Sequence, residues 1–284
     1  MTSPVIAKII SMQTSLTVSE NEIAQYVMNN ADTVVASTIT AMAQNTGTSE
    51  ASINRFCKKI GYKGFNSFKV ALAQDSFFST RQQSAVTQDG SLLASINQDY
   101  TQMLINTTAL LDENQLLKAA EAMADAGHIF IFATATTALV ARELEMRLGL
   151  VGLFAKAVCD PGEIRVYANH VTRADFVILM APTLLVQELY HAVTMCHDSG
   201  ARLLSITSYD APKLSDSIDY KFIISDKITT RYSVSISNNL MYLYVVDVLY
   251  CALLEGDRSL KRKRLNSDSI LYSQQRTDNY FFEY

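Results

Sequence analysis

Apolar positions recur at helical spacing over the first third of the chain and in short unbroken runs over the rest, and this change of period divides the chain in two. Met1 to Ser15 reads as a first helix. Thr17-Val18-Ser19-Glu20 is a helix start, after which Ile23 and Val27, with Ala24 and Tyr26, form one stripe; a short helix follows around Asp32 to Ser37. Ser76 to Gly90, rich in Ser, Gln and Thr, loses the periodicity and reads as a linker. Two helices are expected between Ser91 and Ala126. Strands at His128–Phe132, Phe154–Val158, Phe176–Met180, Leu203–Thr207 and Tyr220–Ile224 then alternate with helices at Thr137–Gly149 and Leu185–Ser199 and a long one ending at Leu254. Near-continuous apolar strands alternating with helices imply a parallel sheet covered on both faces.

Thr38 to Gly61 carries a second pattern. Two helices crossing at a tight turn need a small residue where they touch, a turn residue that tolerates positive φ and an apolar residue that locks the second helix down. Ala43, Gly47 and Ile53 meet these needs in order. In the second helix Ile53, Phe56, Cys57 and Ile60 share one face, and Ala51, Asn54, Arg55 and Lys58 lie opposite. Ser49 or Thr48 caps the start and Gly61 ends the helix.

Charge sharpens the picture. The chain of 284 residues has a net charge of −4, yet Ala51 to Gln74 holds Arg55, Lys58, Lys59, Lys63 and Lys69 and no acidic residue. A cationic stripe on an acidic protein suits a sequence-selective DNA binder and argues against a general polyanion binder. Four scattered cysteines (Cys57, Cys159, Cys196, Cys251) without metal spacing, and no secretion-type start, point to reduced thiols in a cytoplasmic protein. The longest apolar run, Leu240 to Leu254, is interrupted by Asp247 and falls short of the roughly 20 residues that cross a bilayer, so no membrane association is expected.

The run Arg55-Phe56-Cys57-Lys58-Lys59-Ile60-Gly61-Tyr62-Lys63-Gly64-Phe65-Asn66-Ser67-Phe68-Lys69 closely resembles the signature of the RpiR family of bacterial transcriptional regulators, and the resemblance extends over roughly Leu16 to Leu254. It implies an α plus α/β protein, with an all-helical helix-turn-helix domain over 1–77, a linker and connecting helix over 78–106, a three-layer α/β sugar isomerase (SIS) domain with a five-stranded parallel sheet over 107–254, and a C-terminal tail over 255–284. Ser49, Ser52, Asn54, Arg55, Lys58, Lys59, Lys63 and Lys69 are the candidate DNA contacts, with Arg55, Asn54 and Ser52 on base edges and Lys58, Lys59 and Lys63 on phosphates of a double-stranded operator.

SIS domains that bind phosphosugars usually carry a Gly-x-Gly-x-Ser loop after the first strand and a Ser-x-Ser-Gly-x-Thr loop after a later one. Here Ala133 and Ala135 replace the glycines and Thr137 the serine; in the second loop Ala181, Thr183, Leu184 and Val186 replace the hydroxyls and glycine, and Pro182 removes an amide. Thr136, Thr137, Thr183 and Ser208 remain as ligand candidates, although threonine beside a strand also caps helices without binding anything. A phosphosugar effector in an altered site stays open, beside a sensor that only holds a homodimer or homotetramer together, or an enzyme on sugar phosphates. No cofactor, metal or catalytic residue is expected. Offsets of five and six place His191, Cys196 and His197 apart on their helix, and Glu188, Arg142 and Glu145 lack a poised base. The basic run Lys261-Arg262-Lys263-Arg264 reads as a solvated helix end, with an auxiliary phosphate contact as the alternative.

Overall fold

The computed structural model describes residues 4–73 and 91–274, so the linker expected over Ser76 to Gly90 lies outside the described residues. The chain divides into two compact units. The first contains the N-terminal helices through Leu111 together with Thr207–Lys213 and Ile223–Met241; the second contains Asp112–Ile206, Leu214–Phe222 and the chain from Tyr242 onward.

Among the described residues of the first unit seven α-helices follow one another: α1 (Pro4–Ser11), α2 (Val18–Asn29), α3 (Ala31–Ala36), α4 (Ile39–Asn45), α5 (Glu50–Lys59), α6 (65–73) and α7 (Leu92–Leu110). Their starts are written in the sequence. Thr17 and Glu20 form a reciprocal capping box on α2, and Thr38, Ser49 and Ser91 accept from the backbone amides of Ala41, Ser52 and Ala94. One apolar core joins α1 to α6, with Ile9, Ile23, Val27, Val34, Met42, Ile53, Phe56 and Phe68 fully enclosed. Phe56 and Phe68 meet edge to face with ring centroids 6.3 Å apart.

The second unit is built on a five-stranded parallel sheet of order β2-β1-β3-β4-β5: β1 (Ile129–Ala133), β2 (Ala155–Val158), β3 (Phe176–Met180), β4 (Arg202–Thr207) and β5 (Tyr220–Ile223). Central β3 is buried along its whole length, and only the edge strands β2 and β5 carry lysines, Lys156 and Lys221, that would be costly inside the sheet. Helices α8 (Glu113–Ala124), α9 (Ala138–Leu150), α10 (Pro161–Ala168) and α11 (Gln187–Asp198) flank it. Helix α10, absent from the sequence reading, starts at Asp160, whose carboxylate accepts from the amides of Gly162 and Glu163, with Pro161 in the first turn.

Helix α12 (Asn239–Gly256) is, among the described residues, the one helix long and apolar enough to cross a membrane by length and composition. Tyr242, Val245, Val246, Leu249 and Leu253 of this helix are buried, and Asp247 pairs with Arg147 of α9. Within the tail expected over 255–284, Arg258–Gln274 form a helix α13 of 17 residues, with the Ser267 hydroxyl donating to Leu150 O at 2.7 Å.

Candidate DNA-reading face and sensor loops

Helix α4 ends in a complete Schellman closure: Thr48 N donates to Ala43 O at 3.0 Å and Gly47 N to Gln44 O at 3.3 Å, with Gly47 left-handed at φ 60°. Helix α5 ends the same way at Gly61 (φ 87°), through Tyr62 N to Cys57 O and Gly61 N to Lys58 O. Two glycines thus fix both ends of the turn-helix unit. Between them Ile53, Phe56 and Cys57 are fully buried, which leaves the opposite face of α5 to solvent.

The eight sequence candidates separate by what their side chains already hold. Ser49, Ser52 and Arg55 form a chain along the exposed face: Ser49 Oγ lies 2.9 Å from Ser52 Oγ, and Arg55 Nη2 donates to Ser52 Oγ at 3.2 Å. Lys58 and Lys63 are exposed. Asn54 differs, since its side-chain oxygen accepts from Phe65 N at 3.1 Å and so caps α6. Lys59 Nζ is 2.7 Å from both Ser15 O and the Glu20 carboxylate, which ties the end of α5 to the start of α2. Burial alone would raise the Glu20 pKa, but hydrogen bonds from Lys59 and the Thr17 amide outweigh it and hold the carboxyl below its usual range. Lys69 Nζ donates to Ser37 O and sits 5.5 Å from the centre of the Phe65 ring.

In the second unit the loop after β1 turns at Ala135, the single non-glycine among the described residues with positive φ, at 53°. Thr137 is buried. Its hydroxyl accepts from Thr134 N at 3.2 Å and turns its single proton toward Thr134 O (2.7 Å) and Met180 O (2.8 Å), so it clamps the ends of β1 and β3. Thr136 is exposed on the same turn. In the loop after β3, Thr183 Oγ1 accepts from Leu185 N at 3.2 Å, and α11 begins at Val186 without a side-chain cap. Leu185 and Val186 are exposed there, Val186 standing where the family's loop has a threonine.

Ser208 belongs to the first unit and is 1% exposed. Its Oγ accepts from Asn238 Nδ2 at 3.3 Å, and the same Asn238 amide donates to Asp226 Oδ2 at 3.0 Å. Ser225, just past β5, is equally buried. Sequence reading missed Ser225, Asp226 and Asn238, because their only signal is a polar stretch between a strand and a long helix.

The domain description "Helix-turn-helix domain, rpiR family" matches residues 4–77, and "SIS domain" matches residues 122–252. The chain belongs to the RpiR family of transcriptional regulators. This RpiR-family chain is 26% identical over 279 residues to an HTH-type transcriptional regulator of Caldanaerobacter subterraneus, an alignment that covers 97% of the chain and 99% of the relative. It is 25% identical over 256 residues to the HTH-type transcriptional regulator HexR of Pseudomonas aeruginosa, covering 86% and 87%. The Vibrio vulnificus NanR protein, solved in complex with ManNAc-6P, shares the fold with a TM-score of 0.59 at 24% identity over 95% of this chain and 98% of that one. The sugar isomerase domain of an RpiR transcription factor from Sphaerobacter thermophilus gives 0.55 at 13% identity, over 64% and 97%.

Residues weighed for other chemistry in this RpiR-family chain are spread out. Among the described residues no group of His, Cys, Asp and Glu could hold a metal ion. His191 and His197 are exposed on α11, whereas Cys196 is enclosed, and its burial, with the nearby Asp175 charge, pushes its thiol up to about 12. Burial raises the Cys159 thiol despite the opposing influence of nearby Arg142, and Glu188 stands in the first turn of α11.

Proposed function

We propose that the chain is a cytoplasmic, homodimeric regulator that reads an operator with α5 and is modulated by a small ligand, without catalysis of its own. The observation that carries the reading is the Ser49–Ser52–Arg55 chain on the exposed face of a helix whose other face is fully enclosed. The serines hold the Arg55 guanidinium along the helix in a posture suited to the O6/N7 edge of a guanine. Ser52 and Arg55 take the base edges and Lys58 and Lys63 take phosphates. Asn54, Lys59 and Lys69 act on DNA indirectly, Asn54 and Lys59 by fixing α5 against α6 and α2, and Lys69 by fixing α6 against the end of α3. In a dimer the two reading helices enter successive major grooves, about 34 to 36 Å apart.

On the ligand side the hydroxyls we assign are Thr136 and Thr183 in the second unit and, separately, Ser208 in the first. Thr183 and Ser208 each accept one hydrogen bond and keep a proton to donate. The ManNAc-6P complex of NanR supports a phosphosugar as the first class to test. The clamped Thr137 hydroxyl and the exposed Leu185 and Val186 favour one second reading, a sensor domain that holds the dimer without a ligand.

Substitution tests the division of roles on DNA. Arg55→Ala should weaken specific binding by about 1 to 3 kcal/mol and relax preference at one base position, while Lys63→Ala should weaken all sequences alike and lower the salt slope by about 1. Equal losses on specific and random DNA for both variants would refute the assignment.

A further inference from the structure

The residues that follow β4 do two things within three positions. Ser208 sits in the polar cluster with Asn238 and Asp226, and the next two residues are fastened to the helical core and to the end of α1 in the same compact unit. Tyr209 packs against the apolar core built by α1 to α6. Asp210 N donates to Ser11 O at 2.8 Å, and the Thr14 hydroxyl donates to Asp210 O at 2.7 Å. One residue beyond Thr14, Ser15 O accepts from Lys59 Nζ at 2.7 Å, and Lys59 is the last residue of α5. Ser208, Asp210, the turn Ser11–Ser15 and the end of the reading helix are therefore linked by covalent chain and hydrogen bonds without a gap.

We infer that Ser208–Asp210 is the coupling element of the regulator, through which a ligand oxygen engaging the Ser208 and Asn238 side chains resets the Ser11–Ser15 turn and, through Lys59, the end of α5. The inference deepens the regulator reading and rests on it. The chemistry of the cluster fits the role. At 3.3 Å the Asn238–Ser208 bond is long, and the Asn238 amide is shared with the Asp226 carboxylate, so an incoming sugar hydroxyl, which the carboxylate does not repel, competes for it readily. Asn238 Oδ1 also accepts from Lys227 N at 2.9 Å, so a displaced Asn238 moves the backbone beside Asp226 as well. Burial, with the nearby Asp226 charge, raises the Tyr209 phenol above its usual range, in keeping with a ring held between the cluster and the core. Three residues of extended chain span only about 10 Å, so a shift at Ser208 has little slack in which to dissipate before Asp210. Contiguity alone does not establish coupling, and a double-variant cycle does.

The test uses the full chain and two readouts. In amide exchange, Asn238→Ala should raise the exchange rate of Asp210 and of residues 11–16 about tenfold, and Thr14→Val combined with it should add far less than its separate effect. Acceleration confined to residues 205–213 and 225–241 would overturn the inference. In operator binding with ManNAc-6P as the probe, Thr14→Val should halve, at least, the fold-change the probe causes in operator affinity while leaving the probe's thermal shift intact; an undiminished fold-change would overturn it. Absence of any thermal shift in the unaltered chain would count against the ligand in the regulator reading, and the exchange cycle would still decide the coupling.

Discussion

Replacing Ala135 by glycine should stabilise the protein, although it removes a side chain. The residue holds φ at 53°, where an L-residue with a Cβ is disfavoured by about 1 to 2 kcal/mol relative to glycine. Against this, glycine has more freedom in the unfolded chain, a cost of about 0.4 to 1 kcal/mol. Because Ala135 is exposed, its methyl contributes little burial. The balance spans about 0 to 1.6 kcal/mol and centres on a gain of about 0.8 kcal/mol. With an m-value of about 2 kcal/mol/M, that central gain moves the urea midpoint upward by about 0.4 M. The assay is urea unfolding of the full chain by far-UV circular dichroism, with amide exchange of β1 and α9 assigning the transition to the unit that contains residue 135. Ala133→Gly supplies the opposite sign. Ala133 is fully buried in extended β1, so the same replacement two residues away should destabilise by about 1 kcal/mol. A midpoint that falls for Ala135→Gly, or equal effects of the two variants, would refute the claim that the loop stores left-handed strain where the family's loop has a glycine.

Three further outcomes follow from the same geometry. Gly47→Ala meets no atom within 4 Å of the new Cβ, so its whole cost, about 1 kcal/mol in the same urea assay, should come from the left-handed backbone; a loss several times larger would point to a clash instead. Thr137→Val should cost about 0.5 to 1.5 kcal/mol by removing the hydroxyl's bonds to Thr134 and Met180, whose amide and carbonyl keep only their own 3.4 Å contact, and Thr137→Ser should restore most of it; no loss for Val would free the hydroxyl from its clamping role. Burial alone would raise the Asp175 pKa, but hydrogen bonds from the Thr172 amide and hydroxyl and from His128 outweigh it and hold the carboxyl below its ordinary value. Its folded pKa being the lower one, the stability it contributes is complete above the unfolded carboxylate pKa and is lost as pH falls through the folded value. Unfolding measured from pH 6 down to pH 3 should show a steeper acid loss for the unaltered chain than for Asp175→Asn, and parallel curves would contradict this.

Local chemistry was legible in the sequence. The capping pattern at Thr17 and Glu20, the positive-φ turn at Gly47, the buried Ala43 and Ile53, and the five apolar strands all depend on residues close in the chain or on a period of two or 3.6. What depended on distant partners was not. Asn54 and Lys59 lie with Arg55 on a polar face by periodicity, yet their side chains are engaged by Phe65 and by Glu20, 11 and 39 positions away. Thr137 reads as a ligand hydroxyl until Met180, 43 positions on, takes its proton. Helix α10 did carry its signal, Asp160 before Pro161, which was passed over because eight residues give too short an apolar period. The basic run Lys261-Arg262-Lys263-Arg264 reads as a solvated helix end and hides the helix it belongs to, α13, which leaves its apolar positions Leu265, Ile270 and Leu271 exposed.

The central claim is that α5 reads a specific DNA sequence, and selection of bound fragments from a random double-stranded pool, repeated at two salt concentrations, tests it most directly. Enrichment of a palindrome with half-sites about one helical turn apart, steep salt dependence, and loss of that enrichment in Arg55→Ala are the expected results. Failure to enrich any sequence at low salt would contradict the account and reduce α4 and α5 to a structural hairpin.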